Sequence, residues 1–129
     1  MATTVTIPIP PSVVLYLTAN CHASWEQTLT YSTAETSNTF SGSGEGVAMT
    51  SDSQTLVAAH DRRGGGELHL AFSSSGNPNP LVNTPVRHVD GTIVQYTVTS
   101  EDDIDSDNND TYAMFWWNEG TPNRPTKIE

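Results

Sequence analysis

Residues 101–110, EDDIDSDNND, carry six carboxylates on ten positions: Glu101, Asp102, Asp103, Asp105, Asp107 and Asp110. Asn108 and Asn109 lie among them, and no Lys or Arg does. Crowded together, such groups raise one another's pKa and hold the segment open. A solvated loop relieves that strain, and so does a hard cation held inside. Most acidic loops are solvated, but the spacing here favours the cation. Oxygens at 101, 103, 105, 107, 109 and 110 can turn toward one point, and calcium takes about six to eight such ligands.

The helix-loop-helix calcium hand does not fit. A loop beginning at Asp103 needs Gly at its sixth position and Glu at its twelfth, where Asn108 and Met114 stand. The carboxylates also outnumber what one calcium requires. Two adjacent ions with shared carboxylates suit the count better, and they leave coordination positions open for a neutral ligand rich in hydroxyls.

The elements that must position this loop read as strands. TIVQYTVT (92–99) precedes it and TYAMFWW (111–117) follows it; in the first, Val94, Tyr96 and Val98 alternate with Gln95 and Thr97. Similar runs are TTVTIPI, SVVLYLTA, EQTLTYST, SQTLVAAH and GELHLAFS. GSGEG (42–46), RGGG (63–66) and SSSGNPNP (73–80) separate them as turn formers. Strands about ten residues apart predict an all-β, single-domain antiparallel sandwich.

At 129 residues the chain is the size of one domain. Its net charge of −10 is concentrated in the acidic loop, and no basic stripe exists for a nucleic-acid backbone or an anionic membrane surface. A single cysteine, Cys21, excludes an internal disulfide framework. The start MATTVTIPIPP shows no signal peptide, and no apolar run reaches the length of a membrane span. Synthesis in the cytoplasm is expected, with release or surface association afterwards.

From Ser100 to Gly120 the sequence resembles the calcium-dependent fucose/mannose-binding soluble lectins of the PA-IIL type, a bacterial family. Their calcium loop has the form S-E-D-x-x-D-x-D-x-N-D, followed by an apolar strand and W-x-x-G. Here it reads SEDDIDSDNND, TYAMFWW and WNEG. Ala19-Asn20 followed by Cys21-His22-Ala23 is similar to the family's Ala-Asn and specificity loop, and ETSNTFSG (35–42) to a family strand and turn.

The resemblance implies a sandwich of about nine strands with Greek-key connections, and two Ca2+ ions per protomer that bind the sugar directly. The metal ligands it implies are Asn20 through its backbone oxygen, Glu101, Asp105, Asp107, Asn109 and Asp110. The implied sugar contacts are Cys21, His22, Ala23, Asp102, Asp105, Asp107 and Asp110. Calcium would coordinate vicinal hydroxyls of a monosaccharide such as mannose or fucose.

The sequence departs from the family at two places. The family's last Gly is its C-terminus, and that carboxylate completes the partner protomer's calcium site. Here Gly120 is followed by residues 121–129, which divides the chain into a lectin sandwich (1–120) and a C-terminal extension. Glu119, Glu129 or water is left to substitute. A homodimer is compatible with this, and the family's usual tetramer is not expected. The second departure is Cys21-His22, where the family has small residues; a preference shifted toward mannose-type sugars follows.

Other residues read more simply. Cys21 is expected to be a packed thiol and Trp117 a core residue, with Trp116 and Trp25 open to either role. His69, between Leu68 and Leu70, is expected on an outer face. No nucleophile–base pair or phosphate cradle appears, so no enzyme is expected. The competing function is a calcium-stabilised adhesion or assembly module that binds another protein and no monosaccharide.

Overall fold

The computed structural model describes residues 3–10, 13–33, 36–60, 66–77, 80–101 and 110–119. Among them lie nine strands and no helix: β1 (Thr3–Ile9), β2 (Val14–Ser32), β3 (Ser37–Ala48), β4 (Leu56–His60), β5 (Gly66–Ser74), β6 (Leu81–Val82), β7 (Val86–Asp90), β8 (Ile93–Glu101) and β9 (Thr111–Asn118). Every pairing between them is antiparallel. The expected all-β architecture of about nine strands is borne out.

β2 organises the molecule. Its first half, Val14–Cys21, lies between β4 and β9, and its second half, Gln27–Ser32, lies between β3 and β5. The sequence reading divided this run into two strands, SVVLYLTA and EQTLTYST. In the fold they are one strand interrupted by a bulge, because Ser24, Trp25 and Glu26 turn outward while pairing resumes at Gln27. One strand therefore takes part in two parts of the sheet, with β4 and β9 beside its first half and β3 and β5 beside its second.

Alternation then builds the core. Leu15, Leu17, Ala19, Cys21, Leu29 and Tyr31 of β2 face inward and meet Ile7, Leu68, Phe72, Val98 and Phe115 in one hydrophobic cluster. Each large side chain so buried contributes about 1.5–3 kcal/mol. Trp117 joins the core, as expected, whereas Trp116 faces out and stacks on Tyr16 with ring centroids 5.8 Å apart. His69 is exposed, with Nδ1 at 3.1 Å from the Thr6 hydroxyl.

The run GSGEG, read as a turn, belongs to β3 and pairs with β2 opposite the bulge. Gly44 and Gly46 have φ of 113° and 66°, which allows the strand to follow a register shift without ending. β7 carried no alternation signal because all five of its residues are exposed on this edge strand. RGGG falls at 63–66, of which 63–65 lie outside the described residues, as do the division at 120/121 and the extension.

Candidate functional site

The two ends of the acidic loop, Glu101 closing β8 and Asp110 preceding β9, are brought together by the pairing of Ser100 with Thr111. The Asp110 N–H donates to the Ser100 carbonyl at 2.8 Å. On the other side of β9, Cys21 pairs with Thr111 and Asn20 with Tyr112. The His22 N–H then donates to the Asp110 carbonyl at 3.0 Å. Segments about ninety residues apart in sequence thus meet at one corner of the fold, and the Asn20–Ala23 run lies against the root of the acidic loop.

Both root carboxylates are nearly out of water: Glu101 is 5% exposed and Asp110 is 2% exposed. Desolvating a carboxylate costs several kcal/mol unless a cation or donors balance it. The Ser100 hydroxyl, also buried and with no hydrogen-bond partner among the described residues, lies on the core-facing side of β8 with Val94 and Val98. Two buried carboxylates at the ends of a carboxylate-rich loop supply oxygens of the kind a hard cation takes. The residues fit calcium. Among the described residues alone, no group of three or more His, Cys, Asp or Glu converges on a point.

The proposed ligands and sugar contacts Asp102, Asp105, Asp107 and Asn109 lie outside the described residues, as does Asp103. Of those described, Asn20 and His22 are half-buried and face outward, while Cys21 and Ala23 face the core. The Cys21 thiol reaches the Val47 carbonyl at 3.4 Å, and burial pushes its pKa up. Cys21 therefore presents its backbone to the site. His22 is the specificity-run residue whose side chain is large and outward.

Its imidazole is held by the glycine-rich part of β3. The Gly46 N–H donates to His22 Nδ1 at 3.2 Å, and a Glu45 carboxylate oxygen lies 3.9 Å from the same nitrogen. An Nδ1 that accepts leaves the ring proton on Nε2, which is then a donor for a ligand. This contact was not legible in the sequence, since GSGEG gave no sign of pairing with the specificity run.

Trp25 is turned out by the bulge and lies over Gly76, where a Cβ would overlap the indole ring. Glu119 stands at the far end of β9 from Asp110, about 30 Å away at the usual strand rise. Its carboxylate accepts from the Trp117 indole N–H at 3.0 Å. Glu119 cannot reach the site of its own chain.

The sequence profile of the family described as Fucose-binding lectin II (PA-IIL) matches residues 6–119. Among solved structures, a Ralstonia solanacearum high-affinity mannose-binding lectin is 22% identical with a TM-score of 0.72, covering 87% of this chain and 94% of that one. A Chromobacterium violaceum lectin in complex with alpha-methyl-fucoside is 16% identical with a TM-score of 0.72, over 87% and 94% of the two chains. The C-terminal domain of a Burkholderia cenocepacia lectin, BC2L-C, is 20% identical with a TM-score of 0.71, over 91% and 97%. No curated protein sequence matches.

Proposed function

The chain belongs to the Fucose-binding lectin II (PA-IIL) family, and from that membership we propose a lectin that holds a monosaccharide through calcium at the corner where Asn20–Ala23 meets Asp110. As a member of this family it is a carbohydrate-binding protein and not an enzyme. The proposal concerns how it binds. Asn20, Glu101, Asp105, Asp107, Asn109 and Asp110 would hold two calcium ions, which supply open coordination positions for vicinal hydroxyls. Carboxylates beside those positions accept the hydroxyl protons, in charge-assisted hydrogen bonds stronger than neutral ones. His22 would donate from Nε2 at the rim.

The observation that carries this reading is the burial of Glu101 and Asp110 beside the His22-to-Asp110 backbone bond. Mannose- and fucose-type sugars are the proposed ligands. Calorimetric titration with mannose and with fucose, with and without a chelator, tests it. Binding is expected in calcium and not in chelator; no binding of either sugar in calcium would sink the proposal.

A homodimer is proposed as well. The outer face of β2, β9 and β8 carries the rows Tyr16–Trp116–Gln95 and Thr18–Met114–Thr97, with no charged side chain in either. Two molecules of net charge −10 repel unless they meet on such a face. If the same face covers another protein and no sugar binds, the adhesion-module reading replaces the lectin mechanism.

A further inference from the structure

Gln27 is fully buried, an uncommon position for an amide. Its Oε1 accepts from the Thr111 hydroxyl at 2.9 Å across 84 positions of sequence, in a contact wholly inside the protein. Its Nε2 donates to the Trp25 carbonyl at 3.3 Å. Thr111 is itself 1% exposed, follows Asp110 directly, and pairs with Cys21 on one side and Ser100 on the other. Gln27 is also where β2 rejoins its ladder after the outward bulge, since the register against β3 shifts between Ala23 and Gln27.

One side chain therefore ties together the point where β2 resumes its ladder, the Trp25 backbone and the first residue of β9. The bulge removes Ser24, Trp25 and Glu26 from the register against β3; between Ala23, which pairs with Gly44, and Gln27 the backbone is held outside that ladder, by Glu26 to Ser75 and by the Gln27 amide to Trp25. The Gln27 amide fixes the Trp25 end of that stretch and, through Thr111, the first residue of β9. Between the two lies the His22-to-Asp110 bond.

We infer that Gln27 is a positioning residue for the carbohydrate site: from the core side, its amide sets where Asp110 stands relative to Asn20–His22, and thereby sets calcium affinity. The inference rests on the calcium-dependent reading above. Partners that orient metal ligands from behind typically matter by about 10–100-fold in metal affinity. The Gln27–Thr111 pair has the same relation to Asp110, acting through the backbone of the adjacent residue.

The test uses the whole chain, freed of metal with a chelator and titrated with calcium by calorimetry, with the melting temperature of the metal-free form measured in parallel. Thr111→Val and Gln27→Met are each expected to weaken calcium binding about tenfold or more, whereas Thr111→Ser, which keeps the hydroxyl, stays within about twofold of wild type. The double variant is expected to be no weaker than the worse single one, because both remove the same tie. Leu29→Val, a core truncation on the same strand, is expected to lower the metal-free melting temperature and leave calcium affinity unchanged.

Wild-type affinity in Thr111→Val and Gln27→Met overturns the inference, as does full additivity in the double variant or an equal loss of affinity in Leu29→Val. If Gln27→Met does not fold, the comparison of Thr111→Val with Thr111→Ser decides alone. A wild-type protein that takes up no calcium overturns the calcium reading and this inference together. Calcium uptake by wild type with unchanged variants overturns only the inference.

Discussion

The backbone N–H of His22 donates to the carbonyl of Asp110 at 3.0 Å, joining the specificity run to the last residue of the acidic loop. In the proposed mechanism, that bond would make sugar preference and ion binding properties of one corner of the fold. It also makes the consequences of altering either side separable.

Removing calcium should lower stability. At a hundredfold excess over its Kd, a ligand that binds only the folded state adds about 2.7 kcal/mol. For a chain of this size, that corresponds to a rise in melting temperature of about 10 °C. Differential scanning fluorimetry with calcium against chelator measures it, and a further rise on adding mannose or fucose separates the lectin from a merely calcium-tied module.

Asp110→Asn and Glu101→Gln keep shape and burial while removing charge. Each is expected to weaken calcium binding by at least about tenfold, or 1.4 kcal/mol, and to remove sugar binding at calcium concentrations that suffice for wild type. Paired calcium and sugar titrations check this. An unaltered calcium affinity in both would exclude these roots as ligands.

His22→Ala should change the ratio of mannose to fucose affinity more than it changes calcium affinity. The imidazole faces outward and contacts Gly46 and Glu45, and it contributes its backbone, not its ring, to Asp110. Gly46→Ala should act in the same direction and also destabilise, because φ of 66° is unfavourable for a residue with a Cβ. Competition titrations with the two sugars give the readout.

Cys21 should be inert to alkylating reagents at neutral pH until the chain unfolds, since burial raises its pKa and hides it. The sign of the linked stability follows. Above the ordinary thiol pKa, of about 8.5, the unfolded chain loses its thiol proton while the folded one keeps it. Stability therefore falls with rising pH in that range. Cys21→Ala should remove that part of the alkaline loss, seen in denaturant melts between neutral and alkaline pH.

Trp116→Glu should convert the proposed homodimer to a monomer, measured by light scattering, because it places a carboxylate on the face formed by Tyr16, Trp116 and Gln95. Carbohydrate binding at the opposite end of β9 should persist in the monomer. A dimer that survives this change forms elsewhere.

The sequence by itself determined the class of the fold and the kind of chemistry. Period-two alternation in residues such as Val94 and Val98 is a local property, and it marked strands wherever one face is buried. Crowded carboxylates at 101–110 are equally local, and their number and spacing pointed to a hard cation as one way to relieve their repulsion. β7 left no such mark, because an edge strand exposed throughout has no buried face to encode. Only the tertiary structure decided that two apparent strands are one bulged β2, that GSGEG holds the His22 ring, and that Gln27 reaches Thr111. Those depend on register between segments 24 to 84 residues apart. Register is set by how whole strands pack against a shared core, and no single stretch of residues contains it.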